Sequence, residues 1–159
     1  MRVVWHGSDL YKAYHDPQTV TLDLVASRPA ERGQAVTLGD EFALAVDDSG
    51  AFCHLGVDLR KRFASPEPPN RPADAEIAGL AEVELVESVS PRWLFDATAG
   101  SLRVSFGEVR VERWGRIGES LLWLGLSEDG DMAALVFEGI SHDPGGRAQA
   151  AWLAEIGAG

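Results

Sequence analysis

Few side chains in this sequence can do chemistry, and their spacing decides how. The histidines are His6, His15, His54 and His142, and the single cysteine is Cys53. His54 and Asp58 fall on one face of a predicted strand, but four residues along a strand is about 13 Å. By themselves they cannot share a proton or ligate one metal, so an acid–base site needs a cross-strand partner such as His6 or His15. With that spacing no metal centre and no cofactor is expected, and no catalytic residue can be named. The acidic runs Asp47-Asp-Ser-Gly50 and Glu128-Asp-Gly-Asp131 look superficially like calcium loops. They lack the twelve-residue frame closed by a glutamate between two helices, so they read as solvated hairpin tips. Cys53 alternates with Leu55 and Val57 and reads as a small core hydrophobe.

Arg103, Arg110, Arg113 and Arg116 make the second half locally basic. One reading is internal pairing, for example of Arg110 with Glu112. The functional reading is an anion clamp in which Arg110, Arg113 and Arg116 hold a phosphate or carboxylate, because guanidinium forks match such groups. Leu121-Leu-Trp-Leu124 is apolar on both faces of a predicted strand: Leu122, Leu124 and Leu126 face the core, and Trp123 lies opposite. Phe52, Met132 and Val136 are expected to point away from the core as well. A strand apolar on both faces is covered on both. The cover is the C-terminal helix through Trp152 and Ile156, a second subunit, or a ligand filling a cavity lined by Trp123, Phe52 and Met132. Phe52, His54, Asp58, Trp123, Met132, Glu138 and His142 are therefore the candidate interface or ligand-face residues.

The chain has 159 residues, 45% of them hydrophobic, and a formal net charge of −11. That length buries a real core, and that composition is normal for a folded protein. The charge disfavours sequence-independent nucleic-acid binding, which rewards a basic surface. It suits a soluble protein, or one whose partner carries a basic surface. One cysteine excludes an internal disulfide. The opening Met1-Arg-Val-Val-Trp-His-Gly7 lacks the apolar stretch of a signal peptide, and no apolar run is long enough to span a membrane, so a cytoplasmic location is expected.

Strands must position these residues. Thr19 to Ala26 alternates with Val20, Leu22 and Leu24 on one face, the period of a half-buried strand. Two predicted hairpins follow the same plan: an apolar run, a short acidic turn closed by Gly50 or Gly130, and a second apolar run. Four prolines between 60 and 72 make that stretch a linker or surface arm, and residues 73–78 a turn or two of helix. Asp143-Pro144 caps and starts a final helix that runs to Ile156.

The strongest organisational signal is a repeat. Asp16 and Asp96 lie 80 positions apart, and the same shift carries Val3 onto Val83, Leu22 onto Leu102, Leu44 onto Leu124, Gly50 onto Gly130 and Leu55 onto Leu135. The matches fall on turn glycines and core-facing positions, where strand geometry restricts the choice. Each half resembles a small bacterial domain family of unknown function, with a Tyr-Asp-Pro opening, an Asp-x-Asp-x-x-Gly turn and a Gly-Ile-Glu ending. The pieces here are Tyr14-His-Asp-Pro17, Asp47-Asp-Ser-Gly50 and Gly56-Val-Asp58, then Leu94-Phe-Asp96, Ser127-Glu-Asp-Gly130 and Val136-Phe-Glu138. His15 is inserted in the first opening, and the second half lacks the proline and the final glycine. The resemblance implies tandem, diverged copies and brings no activity with it.

The expected fold is all-β or β-rich α+β, with roughly eight mostly antiparallel strands in two pseudo-symmetric halves and a short C-terminal helix. A sandwich and a flattened barrel both satisfy the pattern. One domain is expected from two repeats, 1–79 and 81–159, with a proline-rich linker at 60–72. The function expected is a non-catalytic binding protein, self-associating as a homodimer, of immunity or antitoxin type. The alternative is a small β-barrel enzyme, cyclase- or isomerase-like, that acts on an apolar small molecule through His54, Asp58, Glu138 and His142.

Overall fold

A computed structural model of the chain describes residues 1–28, 34–38, 42–60, 76–77, 80–86 and 91–157. The first half contributes β1 (Arg2–His6), β2 (Tyr11–Asp16), β3 (Thr21–Ala26), β4 (Gln34–Leu38), β5 (Phe42–Val46) and β6 (Phe52–Asp58). β7 (Glu76–Ile77) ends the first half, and the second contributes β8 (Leu80–Glu84), β9 (Pro91–Asp96), β10 (Ser101–Phe106), β11 (Arg113–Ile117), β12 (Leu122–Leu126) and β13 (Met132–Phe137). A short β14 (Ser141–His142) and one helix, α1 (Arg147–Glu155), complete the order. The strands are more numerous than the roughly eight expected, because sheet pairing also makes strands of segments without clear alternation, such as Tyr11–Asp16, Glu76–Ile77 and Ser141–His142.

Two six-stranded sheets result, β14-β2-β3-β6-β5-β4 and β7-β11-β12-β13-β10-β9, joined by a two-stranded ribbon of β1 and β8. Neither sheet closes on itself, so the sandwich holds and the barrel does not. The halves are pseudo-symmetric down to hydrogen-bond register. Leu24 opposes Leu55 as Val104 opposes Leu135, and Phe42 opposes Val57 as Leu122 opposes Phe137, each at a shift of 80. The outer strand departs by one residue: Val36 opposes Leu44, whereas Gly115 opposes Leu124. Each half also takes a two-residue parallel strand on one edge, β14 on β2 and β7 on β11. The helical turn expected over 73–78 is corrected where it is described. Glu76–Ile77 is strand, since pairing with a ready-made sheet edge outcompetes an isolated helical turn with its costly nucleation. The expected linker beyond Arg60 lies outside the described residues.

Both hairpin tips are closed by the expected glycines, each at φ 84°. The Asp47 carboxylate accepts the N–H groups of Ser49 and Ala51 and the Ser49 hydroxyl, while the Ser127 hydroxyl oxygen accepts the N–H of Asp131. In each turn the glycine N–H donates to the carbonyl of Asp47 or Ser127. These bonds satisfy the turn backbone locally, which fixes the register of everything the hairpins carry.

The inner faces of both sheets share one apolar core, with Leu22, Leu24, Leu44 and Leu55 packed among Leu102, Val104, Leu124 and Leu135. Phe42 meets Phe106 edge to face across it at 5.5 Å, and Trp5 stacks on Phe52 at 4.1 Å. Such ring pairs contribute about 0.5–1.5 kcal/mol beyond their area burial. Phe52 therefore points into the core, and so does Met132, contrary to the alternation. The cause is a bulge in each hairpin: Val46 pairs with Phe52 and Ala45 with His54, leaving Cys53 as the extra residue. Leu126 pairs with Met132 and Gly125 with Ala134, leaving Ala133 in the same role. One extra residue reverses the facing of everything before it on that strand. Cys53 is buried as the bulge residue rather than by alternation with Leu55, and burial raises its thiol pKa to about 11.

The helix starts at Arg147, later than Asp143-Pro144 implied, because Gly145 and Gly146 intervene at positive φ. Asp143 still serves its amino end, its carboxylate accepting the N–H groups of Ala148 and Gln149. Among the described residues no helix is long and apolar enough to cross a membrane.

Candidate functional site

Side chains opposite the core form the two outer faces, and their differences locate the site. On the first sheet, Tyr14 and Val25 carry α1 through Trp152, with Leu153 and Ile156 packed alongside. Lys12 lies over the Trp152 ring, its Nζ 4.1 Å from the centroid. Burial, with Asp143 and Glu155 nearby, raises the Tyr14 pKa. Beside the helix, His54 Nε2 and Asp23 Oδ1 are 2.7 Å apart, an imidazole oriented by a carboxylate.

On the second sheet the corresponding face is cut by a groove of about 470 Å³. Its floor is Ser105, Ala133 and Ala134, its walls are Arg103, Val111 and Trp114, and its lip is Glu108, Val109 and Arg110. Gly125 shapes the wall: a Cβ there would stand 2.9 Å from Val111 and 3.1 Å from Trp114, so only glycine lets both lie down on β12. The guanidinium of Arg103 sits 5.6 Å over the Trp114 ring. Among the described residues the Arg103 side chain makes no hydrogen bond and no ion pair, and it lines the groove. Val109 on the lip is 48% exposed, an apolar contact beside two arginines.

The expected candidates do not converge. Phe52 and Met132 are in the core and line no ligand face. Asp58 forms a two-pronged pair with Arg60, at 2.9 and 2.7 Å, and does not serve His54. His142 lies on β14 beside His15, with ring centroids 5.8 Å apart, while His54 stands three strands away. Glu138 borders a crevice of about 330 Å³ with Lys12, Tyr14 and Leu121. Trp123 is completely buried within the chain, under the Arg116 guanidinium at 5.7 Å. The C-terminal helix, one of the three expected covers, packs instead on Tyr14 and Val25 of the other sheet.

Of the expected anion clamp, only Arg110 lines the groove, exposed and 3.7 Å from Glu112. Arg116 is spent on the β11–β12 turn, donating to the Ser120 and Glu119 carbonyls at 2.7 and 3.0 Å. Arg113 is exposed at the start of β11, outside the groove lining. Trp114 was missed, and Arg103 was grouped with the basic residues but not with the clamp. The signal for both was the small residues Gly125 and Ala134 beside them on the outer face, where a strand buried on one face ordinarily carries polar side chains. Among the described residues no three His, Cys, Asp or Glu side chains group as metal ligands. The chain matches no protein-family model, no curated protein and no solved structure.

Proposed function

We propose that the chain is a non-catalytic binding protein of immunity or antitoxin type, built as one domain from two diverged copies of a small bacterial domain family. The observation that carries this reading is the groove over Arg103 and Trp114, a concave surface with an arginine fork, an indole wall and a small-residue floor. Buried arginine and tryptophan are the side chains that dominate protein–protein contacts. The shared registers of the two sheets support the tandem origin. The charge of −11 supports a partner with a basic surface, attracted at long range. Self-association as a homodimer belongs to the same reading.

The test is selection of displayed random peptides on the immobilised full chain, repeated on Ser105→Trp, which fills the groove from its floor. The expected result is a family of peptides enriched on the parent protein and lost on the variant, with the variant's thermal melt unchanged. Enrichment of the same peptides on both proteins, or of none on either, overturns the reading.

A second reading rests on the 2.7 Å contact of Asp23 with His54, the base-and-orienter geometry of an acid–base enzyme. It requires turnover of a small apolar substrate that His54→Gln abolishes. The binding reading requires that His54→Gln leave peptide enrichment unchanged.

A further inference from the structure

We infer that the groove is built to receive the side-chain carboxylate of a partner peptide against Arg103, a reading that rests on the binding function proposed above.

The pseudo-symmetry makes the case. At the shift of 80, Arg103 occupies the place of Asp23, and Ala134 the place of His54, as the pairings of Val25 with His54 and Ser105 with Ala134 show. In the first sheet the charge at that position is answered inside the chain, by the 2.7 Å contact between Asp23 and His54. In the second sheet the charge is retained with opposite sign, and the side chain that answers it is reduced to a methyl group. What remains is a half-buried guanidinium with no acceptor among the described residues, over a space the partner side chain vacates. A guanidinium beside a cavity, with no side-chain acceptor of its own, has its donors available for charge-assisted hydrogen bonds to an anionic group of a ligand.

The ligand's chemistry follows from the surroundings. The guanidinium over Trp114 is a planar fork, and such a fork matches a planar carboxylate in two parallel hydrogen bonds. Glu108 on the lip and the net charge of −11 penalise a phosphate dianion more than a singly charged carboxylate. Val109 and Val111 offer apolar contact to the residues flanking that carboxylate. The groove lies across an open sheet face, so a peptide laid along it presents an Asp or Glu side chain to Arg103.

The experiment uses the full chain labelled with ¹⁵N and reads the indole N–H of Trp114 and the Nε–H of Arg103. The probes are N-acetylated, C-amidated pentapeptides, Ala-Leu-X-Leu-Ala, with X as Glu, Gln or phosphoserine; the blocked ends remove terminal carboxylates. The Glu peptide should shift both resonances saturably, the Gln peptide should bind on the order of tenfold more weakly, and phosphoserine should not exceed Glu. Arg103→Gln should abolish the Trp114 shift and Arg103→Lys restore part of it, while the remaining indole signals report an unchanged fold. Equal binding of the Glu and Gln peptides overturns the carboxylate inference but leaves the groove as a binding surface. Tighter binding of phosphoserine, or no shift with any peptide, overturns the inference as well. The binding function itself falls only with the failure of the Ser105→Trp selection.

Discussion

Val3 and Val83 face each other as Cα partners in the antiparallel ribbon of β1 and β8, and they are the same position in the two halves. An antiparallel pair in which a residue opposes its own equivalent has its local twofold axis between them. The bridges on either side obey that axis: Val4 pairs with Ala51 in parallel, and Glu84 with Asp131, again 80 positions apart. The ribbon is thus the seam where the halves meet, and both valines are buried in the common core.

That seam predicts coupling. Val3→Ala and Val83→Ala should each destabilise by about 1–3 kcal/mol through lost apolar burial and a residual cavity. Because the two residues oppose each other, the double variant should depart from additivity by roughly 0.5 kcal/mol or more. Urea unfolding of the four proteins checks this; strict additivity would place the two sites in independent environments.

The hairpin tips predict a pure backbone effect. A Cβ at Gly130 meets nothing within 4 Å and one at Gly50 meets nothing closer than 3.8 Å, yet both glycines sit at φ 84°. Gly→Val at either tip should therefore cost about 1–2 kcal/mol from the left-handed backbone alone. Gly→Asn should cost less, since asparagine tolerates that region. Chemical denaturation distinguishes the two, and equal losses for valine and asparagine would point to sterics instead.

Gly125 predicts the opposite kind of effect. Its backbone is ordinary, but an added Cβ would meet Val111 and Trp114. Gly125→Ala should lift the groove wall, weakening peptide binding and altering the Trp114 indole signal with a comparatively small loss of stability. An unchanged indole environment would show that the wall is not seated on β12.

Much of this was legible in the residues. Gly50 and Gly130 are turn glycines because the chain needs positive φ there, and the apolar alternation of β3 and β10 reads directly as an inward face. The facings of Phe52 and Met132 were not legible. A bulge is set by how two strands pair, and no local pattern around Cys53 or Ala133 declares which residue is extra. The groove stayed hidden for a related reason: Arg103, on β10, and Trp114, on β11, meet across two intervening strands that contribute Ala134 and Gly125. The fate of Trp123 needed the tertiary structure too, since its strand showed only that the indole must be covered. Trp123→Glu should accordingly lower stability by about 3–5 kcal/mol without changing sedimentation. A change in mass at unchanged stability would instead make Trp123 an interface residue.

The paired histidines predict the pH dependence of folding. His15 packs edge-on against Phe95 at 4.7 Å and lies 5.8 Å from His142, its cross-strand partner in the parallel pairing of β2 and β14. Burial lowers its pKa below the ordinary value of 6.5, and His142 lowers it further, against a smaller opposing pull from Asp16. A histidine whose folded pKa is depressed binds protons more readily when unfolded, so stability falls as pH drops through 6.5 toward the folded value. The carboxylates act later. Burial pushes Asp16 and Asp47 up, but hydrogen bonds from Gln18, Gly145 and Thr19 to Asp16, and from Ser49 and Ala51 to Asp47, hold both below 3.8. Their stabilisation is complete above that value and is lost as pH falls through the depressed pKa values. Acid unfolding should thus show two separate declines, with the upper one removed by His15→Gln and the lower one left in place. Stability measured by urea unfolding at half-unit steps from pH 8 to about pH 3 checks this; an upper decline that persists in His15→Gln would assign it to another group.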